Sequence, residues 1–581
     1  MKPIYSALAL SAACVLGSAA CSDPGNAAMS STPPATSSTT DALTDCAGNQ
    51  VSDFTIVDST ISEAQTWSGA VFVRGNIVAA QNAAVTIKPG TQVIMSENSS
   101  LDFATNAGAS LDAAGASDAP VQFCGAQARA GYWAGLMLGA GADLASRLDD
   151  VVISDAGQAS GAALKLSGAA MLHAVTVAGS AGDGIDAVDF DPQSADVSVQ
   201  GSAGIGLVLH AGSALSHFPA QITLSGNGDD RVRLRFDTVN ENATLHPLAV
   251  AYDQEGSLKV GNGAALTMEA GVNYQMEPGA SLDIGVDGDS ATAQFMGTDA
   301  AAVTFSGSAQ ASGSWKGITI GEDASGSMLA HVEIRHAGGD AHAALDVEAK
   351  STLDQVLVAE SDTGVKIGPQ GVTAESQGLT ISGALQTPLH VAANALVALP
   401  QFTFEGTGDA SILVDAGAIS ANGTIPAQGL PYDVQGNLEI TQGASVSINA
   451  GAQFVMANAS RFMVGMDDSA ATIKAQGSES AKVVFRGATD SPGSWYGITI
   501  GSNVSADSSL NYVEIDDAGA GDMTAGSALT LETSISVTNS TFVDSSGFGI
   551  LKAESDTSDY VAQNSFAGVS ADVGVMATGT L

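Results

Sequence analysis

Residues 285–290 (GVDGDS) and 465–470 (GMDDSA) place Asp287, Asp289, Asp467 and Asp468 in matching acidic turns. Oxygen-rich turns can hold Ca²⁺, yet the bidentate glutamate that completes a dedicated calcium loop is missing. Weak calcium binding is therefore one expectation, and acidic turns kept for solubility are the favoured one. Residues 331–346 (HVEIRHAGGDAHAALD) bring His331, His336, Asp340 and His342 close together, where a later segment carries Asp516, Asp517 and Asp522. Imidazole with carboxylate suits zinc, nickel or copper if the loop converges these groups on one point; otherwise it is a solvated loop, the preferred reading. In DRVRLRF, Arg231, Arg233 and Arg235 alternate onto one face of a strand. They could bind an acidic ligand, but pairing with neighbouring acids on a solvated face is the stronger expectation.

The elements that position these groups repeat along the chain. The phrase GSWKGITIG at residues 313–321 returns as GSWYGITIG at 493–501 and, more loosely, as GYWAGLMLG at 131–139. Trp133, Trp315 and Trp495 are thus 182 and 180 positions apart, and the surroundings obey the same period. GNIVAAQNAAVTIKPGTQVIM at residues 75–95 aligns with 256–276 and 436–456, while Phe123, Phe305 and Phe485 align upstream of the tryptophans. Three tandem units follow, at 46–225, 226–405 and 406–581.

A shorter rhythm runs inside each unit. Ile77, Val85, Val93 and Leu101 fall eight apart, as do Leu258, Leu266, Tyr274 and Leu282, and Leu438, Val446, Phe454 and Phe462. Apolar and polar residues alternate within each step, which specifies strands with one buried face. Turn residues such as Pro89-Gly90 and Pro278-Gly279 separate the steps and exclude helix. At the next level, Leu148, Val151 and Ile153 are repeated 24 residues on by Leu172, Val175 and Val177, and Leu329, Val332 and Ile334 by Leu353, Val356 and Val358. Three eight-residue strands close one coil of 24. Stacking coils at about 4.8 Å gives parallel ladders around a continuous apolar core, and about 22 coils would extend roughly 100 Å. The expected fold is all-β, a parallel β-helix solenoid, right-handed by the crossover rule.

Composition and processing signals bound the setting. With 19 Lys and Arg against 61 Asp and Glu, the formal charge is -42, so nucleic acid is not an expected partner. Residues 1–20 read as an export signal, with Lys2 ahead of an apolar run and small residues before Cys21. LGSAACS around Cys21 resembles the lipobox of bacterial lipoproteins, with Ser18 in place of the usual leucine. That resemblance implies acylation of Cys21, attachment to a membrane through an N-terminal lipid, and, with Ser22 next, the outer membrane of a Gram-negative cell. Cleavage after Ala20 without a lipid is the rival. Residues 21–45 form a Ser/Thr/Pro-rich tether. Cys46 and Cys124 are left for an expected disulfide in an oxidising compartment, two separate buried thiols being the alternative. Cys124 supports a role outside the repeat, because the other units carry Ser306 and Arg486 there.

The strand series VTIKPG, LTMEAG and VSINAG, with SWKGITIG and LAHVEIRHAGG, resembles the right-handed parallel β-helix proteins of bacterial surfaces. This is the pectin-lyase-like fold, in its non-enzymatic lipoprotein form. The resemblance covers nearly everything from about residue 50 onward. Enzymes of that fold need calcium-binding aspartates with an Arg or Lys base, or carboxylates converging on one strand face. Neither constellation is readable, and no catalytic residue is assigned. The expectation is a monomeric cell-envelope rod for structure or adhesion, without a resident cofactor, meeting glycans or other surface components. A polysaccharide lyase or glycoside hydrolase on the same scaffold is the alternative.

Overall fold

The computed structural model describes residues 43–139, 146–158, 161–406, 410–467, 469–521 and 526–576. Thr44–Leu581 is one of two compact units of the chain and holds the whole of the fold that follows. The other unit, Met1–Leu43, includes Cys21 and lies outside the described residues except for Leu43.

The eight-residue rhythm becomes geometry directly. Ile77, Val85, Val93 and Leu101 are all buried, and Ile77 pairs with Leu101 in parallel, so three steps return the chain to its starting ladder one coil higher. Leu258 pairs with Leu282 and Leu438 with Phe462 in the same way. The 24-residue spacing is the stacking register: Leu148, Val151 and Ile153 face Leu172, Val175 and Val177, and Leu329, Val332 and Ile334 face Leu353, Val356 and Val358. The unit is a parallel β-solenoid of about 21 turns with almost no helix. Alternation points one side chain inward and the next outward, and the inward Leu, Ile, Val and Phe form one core through all turns.

Stacked coils put like residues above one another. Tyr252, Tyr274 and Phe305 form an inward aromatic stack with centroids 6.4 and 5.7 Å apart. Tyr432, Phe454 and Phe485 repeat it one unit later at 5.2 and 4.7 Å. Each such contact contributes roughly 0.5–1.5 kcal/mol beyond burial. At the N-terminal end a disulfide joins Cys46 to Cys124, tying the first segment to a strand several coils on.

The long repeat does not coincide with whole turns. Strand Gly135–Leu138, headed by Trp133, continues through Ala162–Leu166, Asp183–Ala187, Ile205–Leu209, Asp229–Leu234, Tyr252–Gln254 and Asn273–Met276. That ladder then reaches Val303–Gly307, the strand of Phe305. The tryptophan ladder of one unit is therefore the phenylalanine ladder of the next. The hand-over recurs: strand Gly317–Ile320 after Trp315 lies in the ladder that reaches Gln453–Met456 and then Val483–Gly487, the strand of Phe485. Strand Ile498–Ile500 after Trp495 belongs to a third ladder. Successive copies of the sequence repeat thus enter one ladder further on, and the tryptophan marks head three different ladders.

A short helical segment prepares each new ladder. Helix Gly212–Ser216 and the 3₁₀ segment Ala393–Ala398 lie 181 positions apart at their starts. Their buried Ala214, Leu215, Ala395 and Leu396 support strands Thr238–Val239 and Gly417–Ile419, where the next tryptophan ladders begin. No helix among the described residues is long and apolar enough to cross a membrane.

Candidate functional site

Trp133, Trp315 and Trp495 are fully buried, and each indole N–H donates 2.8 Å to a carbonyl of the adjacent coil, that of Ser154, Arg335 and Asp516 respectively. The residue after each acceptor carbonyl has a left-handed backbone: Asp155 at φ 61°, His336 at 62° and Asp517 at 59°. Asp and His are among the non-glycine types that tolerate that conformation. Their carbonyls accept in turn from the backbone N–H just before each tryptophan, Tyr132, Ser314 and Ser494, at 2.8–2.9 Å. The glycine after Lys316 is required by the close approach, since a Cβ on Gly317 would meet the Ala343 carbonyl oxygen at 2.3 Å. The repeated phrase is thus a corner lock between neighbouring coils.

The arginine triplet is spent on its neighbours. Arg231 reaches Asp229 at 2.7 Å and Asp253 at 2.8 Å; Arg233 reaches Asp253 at 3.0 Å and Glu277 at 2.8 Å; Arg235 reaches Glu255 at 2.8 Å. Asp253 is 1% exposed, and its ion pairs lack hydrogen-bond alignment. Burial pushes its carboxyl up, opposed by Arg233 and Arg231. For Asp229 burial is outweighed by the Arg231 guanidinium, and its carboxyl lies below the usual range. An open hollow beside this ladder is lined by His210, Arg235, Phe236, Asp237 and Glu255. Its lining mixes acids and bases.

The acidic turns serve the backbone. Asp289 accepts from the Asn262 N–H at 2.6 Å, and Lys259 lies 3.6 and 3.7 Å from Asp287 and Asp289. Asp467 accepts from the Thr441 hydroxyl at 2.6 Å and the Gln442 N–H at 2.8 Å, and these bonds hold it below the usual carboxylate range. Asn262 and Gln442 both have positive φ, so these aspartates stabilise equivalent left-handed turns of the coil before. Asp468 and Asp522 lie outside the described residues.

His336, Asp340 and His342 are not turned toward one point. His336 Nε2 faces Glu360 at 3.1 Å, His342 Nδ1 faces the Asp340 backbone carbonyl at 3.0 Å, and His331 faces Asp299 at 3.2 Å. Among the described residues no group of three or more His, Cys, Asp or Glu is already gathered to hold a metal ion.

One constellation escapes motif reading as a unit. The registers that pair Ser154 with Ala178, Arg335 with Ala359 and Asp516 with Val543 bring the next residues into line one coil on: Asp155 with Gly179, His336 with Glu360, Asp517 with Asp544. All of these partners also have positive φ. The same slots hold a complementary pair in the second unit and two carboxylates in the third. Asp517 is 4% exposed, its Oδ1 has no hydrogen-bond partner, and burial with Asp516, Asp490 and Asp544 pushes its carboxyl up to about 6. The signal that could have found it is the 181-residue spacing of Asp155, His336 and Asp517. In comparison with protein-family models, curated proteins and solved structures, nothing matches this chain.

Proposed function

We propose that the chain is an exported, lipid-anchored β-solenoid of the cell envelope, held through Cys21 at the outer membrane of a Gram-negative bacterium. It acts there as a structural or adhesive surface element rather than as an enzyme. The observation that supports this reading is the fate of the charged side chains: the arginine triplet and the acidic turns are used in bonds between successive coils. The shift of the repeated strands from ladder to ladder adds to it. Equivalent corners are presented around the solenoid on three ladders, which suits contact with several surroundings. Glycans or other envelope components are the partners such an outward display would meet.

The test is made in cells. Mass spectrometry of the mature protein is expected to find an acylated Cys21 as first residue, with the protein in the outer-membrane fraction; Cys21→Ser should release it. An unmodified Cys21, or a mature chain starting beyond it, would refute the anchor.

A second reading, a carbohydrate-active enzyme, draws on Asp517 beside Asp516. A carboxyl pushed up to about 6 next to others is how an acid is separated from a base in glycoside hydrolysis. Burial of Asp517 speaks against it, because a substrate oxygen must reach the acid.

A further inference from the structure

The third unit's corner lock differs from the second's in one respect that bears on ligands. In the second unit, the stacked left-handed slots hold His336 over Glu360, an imidazole against a carboxylate at 3.1 Å. In the third, the same slots hold Asp517 and Asp544, with Asp516 next in sequence and Asp490 on the tryptophan loop. Like charges stacked between neighbouring strands repel. Lys482 on the adjoining segment pairs with Glu514 at 2.9 Å, and Arg486, next in register to Asp516 and exposed, forms no ion pair with these carboxylates. Among the described residues no ion pair reaches Asp490, Asp516, Asp517 or Asp544. The Ser491 N–H near Asp517 donates to the Thr489 carbonyl at 2.8 Å, and burial adds to the like-charge repulsion on Asp517. Its Oδ1 stays buried and unpartnered, in contrast to Asp155 of the first unit, whose Oδ2 accepts from Gly125 N–H and the Ser154 hydroxyl.

We propose that the corner formed by Asp490, Asp516, Asp517 and Asp544 is a binding site for a hard divalent cation, with Ca²⁺ as its fitting ligand. An all-carboxylate donor set selects a hard, oxygen-seeking ion over zinc or copper. The ion takes the place that the His336 imidazole holds against Glu360 at the equivalent slot of the second unit. Asp490 and Asp544 are exposed, so their side chains are free to turn onto an ion, while Asp517 provides the fixed carboxylate beneath. These carboxylates are not gathered on one point among the described residues, so binding requires Asp490 and Asp544 to turn. Affinity belongs in the range of extracellular modules, on the order of 10⁻⁴–10⁻³ M.

Calcium titration of the chelator-treated mature protein, at physiological salt with excess magnesium, reads both binding heat and melting temperature. The wild type is expected to take up calcium at this corner and to melt several degrees higher with it. Asp517→Asn with Asp544→Asn should lose that increment. Asp517→His with Asp544→Glu, which installs the second unit's pair, should melt higher than wild type in chelator and no longer respond to calcium. Full retention of the calcium response in both double variants would overturn the proposal. So would a wild type indifferent to calcium whose melting responds to acid alone, because the corner would then take a proton and not a metal.

Discussion

Replacing Trp315 by alanine removes a fully buried indole and leaves the Arg335 carbonyl without its donor. Truncating a buried tryptophan costs about 3–5 kcal/mol, and a stranded polar group adds about 1 kcal/mol, giving about 4–6 kcal/mol at this corner. In a solenoid each coil contacts only its neighbours, so the loss should stay local. The amides that report on it are Gly313 and Ser314, bonded to the carbonyls of Ala337 and His336, and Gly338 and Gly339, bonded to those of Lys316 and Trp315. Native-state hydrogen exchange followed by mass spectrometry should show these peptides exchanging about 10³–10⁴-fold faster, since each 1.4 kcal/mol is a factor of ten. Peptides around Trp133 and Trp495 should hardly change, and Trp315→Phe should lie in between. Equal acceleration throughout all three units would refute local coupling. Unchanged exchange at Ser314 and Gly339 would refute the corner-lock role itself.

Three further outcomes are expected. The raised Asp517 carboxyl binds a proton more tightly folded than unfolded, where its pKa is about 3.9. Its contribution is therefore present below about pH 4 and lost as pH rises through about 6, an upper figure near 3 kcal/mol that solvent screening at the exposed Asp490 and Asp544 reduces to about 1–2. Denaturant midpoints across this range should flatten in Asp517→Asn. Reducing the Cys46–Cys124 disulfide, 78 residues apart, releases a loop constraint of about 4.5 kcal/mol; exchange should quicken in the first coils and not in the third unit. Arg233→Ala leaves the buried Asp253 with Arg231 as its remaining partner, at a cost of about 2–3 kcal/mol, below the range for a fully orphaned charge. Adding Asp253→Asn should recover part of the lost midpoint.

The coil was legible because its period is written in residues that must be buried: the spacing of Ile77, Val85, Val93 and Leu101 alone defines one turn. The fates of Arg231, Arg233 and Arg235 were legible too, since alternation places them on one outward face beside an acid-rich chain. The shift of successive units from ladder to ladder was not. It depends on how many residues the tryptophan loops and the helical segments at Gly212–Ser216 and Ala393–Ala398 take up, lengths that carry no periodic signal. Turn lengths show this: Leu282 and Ile318 are partners 36 residues apart, whereas Leu345 and Val365 are 20 apart. The site candidates suffered for the same reason. His336 and His342 are near in sequence, but the left-handed turns at His336, Asp340 and Ala341 send them to different partners, while Asp517 meets Asp544 only through register.

Whether this surface displays or reacts is decided by incubating the mature protein, with and without calcium, with uronic-acid polymers and neutral polysaccharides and following unsaturated products and new reducing ends over time. The proposed surface-element role predicts both signals at the level of buffer alone, whatever polymer is retained. Steady release of either, abolished by Asp517→Asn, would contradict it and make the acidic corner a catalytic one.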